Sequence, residues 1–543
     1  MTVTLPDISH PFRPLATPDR RGFVGRASRA PLWLVASASL IAALMLLPLA
    51  YLIIRAAGVG ADALDTLFNA RTLRVLLNSA ALTVTVTGLA MMVGVPLAWI
   101  TVRTDLPGRK IWTALVVLPL VIPSYVGGFA LVASLGPKGM VQELLAPLGV
   151  ERLPEIYGFV GATYALVLFT YPYLVLTVRA GLQRMDPSLE EAARGLGYSS
   201  WQTFWRVTLP GLRPSLAAGA LLVALYTLSD FGAVSLLRFN SFTRAIYIQY
   251  QSSFDRSAAA VLSLVLVSMT ILILAAERRT QGRGRYHRLS SGVRRESKPV
   301  RLGRWTWPAL AFCAFVTFAA LVAPFTVVLI WFIRGALAGE TFAPMWRAAW
   351  HSIEAASLAA LAAVALGLPV AYFSARFPGR FSTLVERSAY IGYGLPGIVV
   401  ALSLVFFGAN YLPILYQTLP ILIFAYVVLF LPQALGALRA NLLQTSPRLE
   451  EAARSLGLSP RRVWLRVNLP LLRPGLWAGA ALVFLTTIKE LPATLLLAPT
   501  GFDTLATQIW SASAEAFFAR AAAPALLLLA ISALSIFILL SQE

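Results

Sequence analysis

Residues 189–219 read LEEAARGLGYSSWQTFWRVTLPGLRPSLAAG, and residues 449–479 read LEEAARSLGLSPRRVWLRVNLPLLRPGLWAG. The two stretches align at a constant offset of 260 residues without a gap. Further upstream, GVPLAW at 94–99 matches GLPVAY at 367–372, here at an offset of 273 residues. Because both matches keep the same order along the chain, the sequence indicates two copies of one structural unit.

The amino-acid composition indicates a membrane protein. Of the 543 residues, 58% are hydrophobic and 13% are charged, and the mean hydropathy is +0.73. Soluble domains carry about 25% charged residues on average, so a soluble core alone does not account for this chain. The single cysteine and three histidines exclude a disulfide framework or a zinc cluster built from this chain, and we expect no stably bound metal.

Apolar segments with the length of membrane helices recur through both copies. A helix needs about 20 apolar residues to cross the hydrocarbon core of a bilayer. We predict an all-α polytopic membrane protein with about twelve transmembrane helices, arranged as two parallel six-helix repeats. The predicted spans are 32–54, 78–102, 111–135, 158–178, 215–237, 258–276, 306–333, 352–375, 387–408, 414–438, 475–497 and 517–540.

The spans and the repeat divide the chain into four segments. Residues 1–30 form a cytoplasmic N-terminal segment, 31–276 the first half, 277–304 a cytoplasmic basic linker, and 305–543 the second half. The linker is polar and rich in arginine, glycine and serine, which is typical of a connection between two structural units. We interpret it as a plain connection, with contact to anionic membrane lipid as the alternative.

The distribution of positive charge predicts the orientation of the chain. The net charge is +21, and most of the lysine and arginine falls on segments that lie on one side of the predicted membrane. Loops rich in lysine and arginine face the cytoplasm, so we expect both termini to be cytoplasmic. Because loop charge accounts for most of the basic residues, no nucleic-acid partner is needed to explain them.

The repeated loops, residues 186–213 and 446–473, connect the fourth and fifth span of each half. We predict that each forms a short helix–turn–helix outside the membrane. A capping side chain starts its first helix, a glycine stops it, and a proline ends the second helix. These positions are Asp186, Gly197 and Pro210 in the first copy, and Ser446, Gly457 and Pro470 in the second.

The first helix of each loop carries acidic and small residues. Acidic groups in a first turn suit the helix dipole, and small side chains allow another backbone to approach closely. We interpret each loop as a docking element, with a hairpin that merely connects two spans as the alternative. The candidate docking residues are Glu190, Glu191, Ala192, Ala193, Gly197 and Pro210, and Glu450, Glu451, Ala452, Ala453, Gly457 and Pro470.

These loops resemble the EAA loop of ABC importer permeases. The pattern is Glu-Ala-Ala, three residues, Gly, nine residues, then an aliphatic residue, any residue and Leu-Pro. It spans residues 191–210 and again 451–470, with valine at the aliphatic position where that family usually has isoleucine. The resemblance covers nearly the whole chain and implies a type I ABC importer permease fold.

The resemblance also implies partners. Two cytoplasmic ABC ATPase subunits would dock at 186–213 and 446–473, each loop inserting into a groove on one ATPase. A periplasmic or extracytoplasmic binding protein would deliver the substrate. ATP and Mg would be held by the partner ATPases, since the sequence contains no G-x-x-x-x-G-K-[ST] phosphate loop. We therefore expect a transport subunit of the bacterial inner membrane with no cofactor and no enzymatic activity of its own.

Two stretches carry a more specific resemblance. TLSDFGAVSLLRFNSFTRAIY at 227–247 and KELPATLLLAPTGFDTLATQIW at 489–510 resemble the fused permeases of ferric-iron importers. This resemblance implies ferric iron as the substrate. An ABC permease for another small solute, such as thiamine or a phosphonate, is an alternative, and a secondary transporter is the alternative from another class.

Two acidic residues, Asp230 and Glu490, lie at matching positions within predicted spans. A charge inside a span is costly and marks a candidate functional residue. Carboxylates suit a hard trivalent cation, so both residues are candidates for the substrate pathway, although the sequence slightly favours bracing of the two halves, because a pore for such an ion should not bind it tightly. Because Gly232 and Pro492 follow two positions later, we also expect a local break in each helix.

Overall fold

A computed structural model of the chain describes residues 30–58, 62–252, 257–280 and 299–540. The predicted N-terminal segment up to residue 29, and residues 281–298 of the predicted linker, lie outside the described residues. Within the described ranges the regular structure is helical, apart from an isolated bridge between Thr104 and Val300. The predicted all-α class is therefore confirmed.

The helices follow a similar order in the two halves. The first half contains α1 (Leu32–Ala57), α2 (Asp62–Leu67), α3 (Ala70–Arg103), α4 (Arg109–Val117), α5 (Ser124–Leu135), α6 (Met140–Leu145), α7 (Phe159–Arg184), α8 (Pro187–Gly195), α9 (Ser200–Thr203), α10 (Leu209–Gly211), α11 (Arg213–Ser229), α12 (Gly232–Leu236), α13 (Phe242–Ser252) and α14 (Ser257–Thr280). The second half contains α15 (Thr306–Thr317), α16 (Ala323–Leu337), α17 (Ala343–Arg376), α18 (Arg380–Ala389), α19 (Gly397–Tyr411), α20 (Leu419–Gln444), α21 (Arg448–Ser455), α22 (Pro460–Val463), α23 (Leu469–Thr487), α24 (Pro492–Leu497), α25 (Leu505–Ala514) and α26 (Phe518–Leu540).

By length and composition, nine helices in the described part of the chain can cross a membrane. Two bent helix pairs, Arg109–Val121 with Ser124–Leu148 and Trp201–Gly211 with Arg213–Ser229, bring the number to eleven if each pair is one span. The shorter apolar helix Gly397–Tyr411 lies in the remaining predicted span. All twelve predicted spans therefore overlap apolar helices, but not all of them are single long helices.

The predicted spans 111–135 and 387–408 are wrong as single helices. A 3-10 turn and an extended residue separate α4 from α5, and the pair bends by 91°. Pro123 is the N-cap residue directly before α5, and Pro396 precedes α19 in the same way. Proline disfavours a helical backbone in the residue before it. Ile122 precedes Pro123 and Leu395 precedes Pro396, and both are extended, with ψ of 115° and 125°. Matched prolines therefore break the third span of each half.

The expected breaks at Asp230 and Glu490 are confirmed. α11 ends directly before Asp230, and α12 begins two residues after it. α23 ends three residues before Glu490, and α24 begins two residues after it. The predicted spans 215–237 and 475–497 are therefore each two helices, with an acidic residue in the break.

The outer helices of each half pack against the opposite half. α1 belongs to the first half, yet it packs along α17, α18 and α19 of the second. In return, α16 and α26 of the second half pack against α5 of the first. Where α1 meets α19, the Ser403 hydroxyl donates a hydrogen bond to the carbonyl of Pro48 at 2.6 Å. Each repeat thus completes its apolar core with helices from the other.

Matched glycines in the two halves are expected to respond oppositely to one substitution. A methyl group added at Gly94 would lie 2.9 Å from Cβ of Leu174, whereas at Gly367 the nearest atom would be 3.5 Å away. Ala434 stands in the second copy where Leu174 stands in the first. We expect Gly94→Ala to destabilise the protein by about 1–3 kcal/mol through overpacking. We expect Gly367→Ala to be neutral or stabilising by up to about 1 kcal/mol, because alanine favours helix.

Thermal unfolding of the two purified variants in one detergent measures this difference. Equal shifts in the unfolding temperature of Gly94→Ala and Gly367→Ala would contradict the packing argument.

Candidate functional site

The two repeated loops each fold as a helical hairpin, and we call residues 186–213 the first hairpin and residues 446–473 the second hairpin. The Asp186 carboxylate accepts a hydrogen bond from the backbone N–H of Ser188 at 3.0 Å and caps α8. Gly197 and Gly457 follow the first helix of each hairpin with φ of +90° and +81°, a left-handed conformation that favours glycine. The predicted helix–turn–helix is therefore confirmed in both copies.

The prediction that a proline ends the second helix of each hairpin is wrong for Pro470 and holds to within one residue for Pro210, because helix ends at Gly211 and a bend of 66° precedes α11. A π-helical turn, Phe204–Thr208 or Trp464–Asn468, precedes each proline, and helix continues beyond it. In the second hairpin, α23 runs through Pro470 without interruption. A proline normally clashes with the carbonyl four residues earlier, and the wider π turn shifts that carbonyl away. The second hairpin therefore leads directly into α23, whereas a bend of 66° at Leu212 separates the first hairpin from α11.

Glu190 of the first hairpin points into the protein and not toward a docking partner. It is 8% exposed, and its Oε1 lies 3.4 Å from Nη2 of Arg103 at the end of α3. The Thr208 hydroxyl donates a hydrogen bond to the same oxygen at 3.0 Å. Because a buried charge without its partner is costly, this ion pair holds α8 against the end of α3.

The second hairpin repeats this arrangement. Glu450 is also 8% exposed, and its Oε1 lies 3.3 Å from Nε of Arg376 at the end of α17. The Tyr372 hydroxyl donates a hydrogen bond to Oε2 of Glu450 at 3.0 Å. The sequence analysis missed both pairs. A signal was present, because Arg103 and Arg376 match at the same 273-residue offset as the segments around them.

The face of each hairpin that points away from the helix bundle is apolar at its centre. Leu196 is 80% exposed and Leu456 is 84% exposed, and the two leucines occupy the same position of the repeat. The adjacent predicted docking residues divide into two groups. Glu191, Ala192, Glu451 and Ala452 are exposed, whereas Ala193 and Ala453 are buried against the rest of the hairpin. Sequence reasoning missed the two leucines, which share one position of the repeat.

The broken helices enclose a cavity of about 320 Å³ between the two halves. Asp230 and Glu490 both line this chamber, so the structure brings the two predicted pathway residues together. Oδ1 of Asp230 accepts the backbone N–H of Val234 at 3.2 Å, and Oε1 of Glu490 accepts that of Ala493 at 3.1 Å. Each carboxylate therefore lines the chamber and also caps the short helix that follows it.

Lys489 makes the chamber asymmetric. Its Nζ donates a hydrogen bond to the carbonyl of Leu120 at 3.2 Å, which joins the second half to the first across the cavity. The matching residue of the first half is Ser229, which also lines the chamber. The chamber thus contains two carboxylates and one ammonium group. The repeat alone did not indicate this contact, because lysine occurs in only one copy.

An aromatic cluster separates the chamber from a second cavity. The ring of Phe231, which lines the chamber, lies 4.9 Å from the rings of Tyr247 and Trp510. Tyr247 and Trp510 line the second cavity, which has a volume of about 410 Å³. Within the part of the chain that the structure describes, its lining also includes three basic residues, Lys138, Arg238 and Arg244, and no acidic residue. A path through the protein at this point therefore requires the aromatic rings to move.

A duplicated bundle of apolar helices, with a matched hairpin in each copy and a chamber between the copies, defines a membrane permease made of two fused halves. Residues 90–281 and 364–542 each match the family described as binding-protein-dependent transport system inner membrane component. The chain belongs to this family, and it is therefore a multi-pass inner-membrane permease.

Individual relatives agree with this assignment. An Fe(3+)-transport system permease protein of Haemophilus influenzae is 34% identical over 94% of this chain and 98% of the relative. A ferric transport system permease protein of Actinobacillus pleuropneumoniae is 27% identical over 70% of this chain and 58% of the relative. A sulfate transport system permease protein of Escherichia coli is 33% identical over 35% of this chain and 69% of the relative.

The names of these relatives also indicate which class of protein the chain belongs to. All three are named as transport permeases, which agrees with a membrane subunit that is not itself an enzyme. Membership of the binding-protein-dependent family decides against the alternative of a secondary transporter.

Proposed function

We propose that this chain supplies both transmembrane halves of a binding-protein-dependent ABC importer and that its substrate is ferric iron. The observation that supports ferric iron as the substrate is how much of the chain aligns with each relative. The relative named for Fe(3+) transport aligns with 94% of this chain, whereas the sulfate permease of Escherichia coli aligns with 35%. Sulfate, thiamine and phosphonates are the competing solutes.

The two hairpins are the proposed docking sites for two ATPase subunits, one at each hairpin. Their exposed leucines, Leu196 and Leu456, offer apolar side chains to a groove on the partner, and Glu191 and Glu451 lie on the same helices. ATP and Mg belong to those partners in this proposal. The buried ion pairs of Glu190 and Glu450 support it, because they connect each docking helix to a long membrane helix.

The hairpins and the linker face the cytoplasm in this proposal, together with both chain termini. The excess of arginine on these segments supports that orientation. An extracytoplasmic binding protein then delivers the substrate at the opposite face of the bundle. The cavity with Lys138, Arg238 and Arg244 lies on the other side of the aromatic cluster from the chamber, so in this proposal it faces that side of the membrane.

Asp230 and Glu490 are the proposed contacts for the substrate within the membrane. Their oxygens suit a hard cation, and both line the chamber on the path between the halves. The positive charge of Lys489 opposes tight binding of a cation in the chamber. Weak binding is what a transport pathway needs, because conduction requires sites that release the ion. The bond from Lys489 to Leu120 also ties the halves together, so we expect it to break when the chamber opens.

The substrate is tested by transport in vesicles. The permease is reconstituted with the ATPase and the binding protein encoded beside it, and uptake of radioactive ferric iron is compared with uptake of sulfate, thiamine and a phosphonate. We expect iron uptake that requires both ATP and the binding protein. Uptake of one of the other solutes without uptake of iron would overturn the assignment of ferric iron as the substrate.

Docking is tested at the left-handed glycines. A Cβ atom at Gly197 or Gly457 would meet no atom within 4 Å, so substitution there acts through the backbone alone. Valine in the left-handed region costs about 1–2 kcal/mol per residue. We expect Gly197→Val combined with Gly457→Val to misplace both hairpins, so that the ATPase dissociates or its stimulation is lost while the permease still inserts in the membrane.

The control for this experiment combines Gly195→Val with Ser455→Val. Gly195 also has open space around it, and both residues lie within the helices that precede the left-handed glycines. We expect this pair to retain ATPase binding in a pull-down assay. Undiminished transport by the Gly197→Val and Gly457→Val variant would contradict the docking proposal.

The pathway is tested by removing charge without removing the helix cap. In Asp230→Asn and Glu490→Gln, the amide oxygen can still accept the N–H of Val234 or Ala493. We expect iron uptake per assembled complex to fall by about tenfold or more, the usual scale for a charge-assisted contact. Basal ATP hydrolysis is expected to persist, because the hairpins are unchanged.

The alanine variants at these two positions remove both the charge and the cap, and they separate transport from bracing. If the acids only brace the fold, the amide variants keep wild-type uptake, and the alanine variants lose thermal stability. That result would overturn the assignment of Asp230 and Glu490 to the substrate pathway.

A further inference from the structure

A third cavity opens on the side of the first half, and we call it the lateral cleft. Its volume is about 1200 Å³. One wall is the second half of α3, from Met91 to Ile100, and the opposite wall is α15 with Pro308 and Phe312. The first hairpin and the linker end, residues 300–302, close it at the hairpin side of the bundle. The cleft therefore lies outside the chamber and shares no lining residue with it.

The lining of the lateral cleft is apolar and aromatic with a basic rim. Among the described residues its charged lining consists of Arg213 and Arg301, both exposed, and includes no acidic residue. The aromatic residues of the lining are Trp99, Trp201, Phe204, Trp205, Trp305 and Phe312. Tryptophan concentrates where the hydrocarbon core of a bilayer meets its headgroups. A surface with this chemistry, at the end of membrane helices, matches the two parts of a phospholipid.

The second half is packed differently at the equivalent place. There, α1 packs along α17, and its side chains Leu34 and Ala38 are buried. On the first half, the position equivalent to α1 is taken by α15 of the second half. α15 packs against α4 and leaves the facing surface of α3 open. The lateral cleft is thus a point at which the two repeats differ.

We propose that the lateral cleft binds an anionic phospholipid of the cytoplasmic leaflet. Arg213 and Arg301 pair with the phosphate and headgroup, and the acyl chains lie on the aromatic walls between α3 and α15. The choice of leaflet rests on the orientation in the proposed function. Basic residues at a membrane surface attract anionic lipid, and an apolar cleft open to the bilayer accommodates hydrocarbon.

The charges argue against the two longer segments of this chain that lie outside the described residues as occupants of the cleft. Residues 1–29 and 281–298 both carry more arginine and lysine than acidic residues, and the second is poor in apolar side chains. Either would bring like charge to Arg213 and Arg301. An anionic lipid complements both the rim and the walls of the cleft.

A lipid in this position would brace the first hairpin. The linker end is already fastened to the end of α3, since the N–H of Val300 donates to the carbonyl of Arg103 at 2.7 Å. The N–H of Leu302 donates to Oδ1 of Asp105 at 2.9 Å. Arg103 in turn pairs with Glu190 of the hairpin. The lipid would therefore contact α3, the linker end and the first hairpin. The hydrogen bonds of Val300 and Leu302 and the ion pair of Arg103 with Glu190 join these three elements.

The test measures lipid binding to the full-length permease alone. Delipidated protein is incubated with phosphatidylglycerol or with phosphatidylcholine, and bound lipid is counted by native mass spectrometry. We expect the wild type to prefer phosphatidylglycerol. We expect Arg213→Gln combined with Arg301→Gln to weaken phosphatidylglycerol binding by about tenfold, because each basic residue contributes to anionic-lipid affinity.

The matched control combines Arg304→Gln with Arg473→Gln. Arg304 is exposed on the same linker end but does not line the cleft, and Arg473 matches Arg213 in the second copy. We expect this variant to bind phosphatidylglycerol like the wild type. Equal binding of both lipids by the wild type, or an equal loss in both double variants, would overturn the proposal.

Deletion of residues 2–29 tests the competing occupant. Wild-type phosphatidylglycerol binding after the deletion supports lipid as the occupant, and binding that appears only after the deletion would show that the segment fills the cleft. Circular dichroism establishes that each variant is folded. Because neither iron nor the ATPase is present, this result is independent of whether the proposed substrate is correct.

Discussion

The requirement that backbone polar groups be satisfied inside the membrane governs this structure. A membrane helix can break only where other groups replace its lost hydrogen bonds. Asp230 and Glu490 each accept an N–H of the helix that follows the break. Thr243 and Thr494 donate to the carbonyls of the same two acids, at 2.6 Å and 2.7 Å. The residues that make the breaks possible are thereby the residues that line the chamber.

The hairpins are attached to the bundle by a buried ion pair and by the membrane helix that follows each of them. Each has a buried arginine–glutamate pair at the end of a 34-residue membrane helix, α3 or α17. Each also contains a π turn, which continues into α23 in the second copy and is followed by a bend of 66° before α11 in the first. A displacement of a hairpin therefore reaches two membrane helices at once, and one of these leads directly to the acidic residue of the chamber.

Duplication within one chain has allowed the two copies to diverge. Lys489 of the second half donates a hydrogen bond to the carbonyl of Leu120 in the first half. The first half cannot make the equivalent bond, because it has Ser229 at the matching position. The lateral cleft likewise occurs where α15 packs differently from α1. A permease assembled from two identical chains would carry each such feature twice.

The amino-acid sequence by itself determined the two repeats, the apolar spans, the hairpins and the helix breaks at Asp230 and Glu490. These features depend on local composition, on glycine and proline, and on periodicity along the chain. Only the tertiary structure decided that Glu190 and Glu450 are buried, that Lys489 bonds to Leu120, and that the outer helices exchange between halves. Those contacts join residues far apart in sequence, and no local pattern specifies which distant surface a side chain will meet.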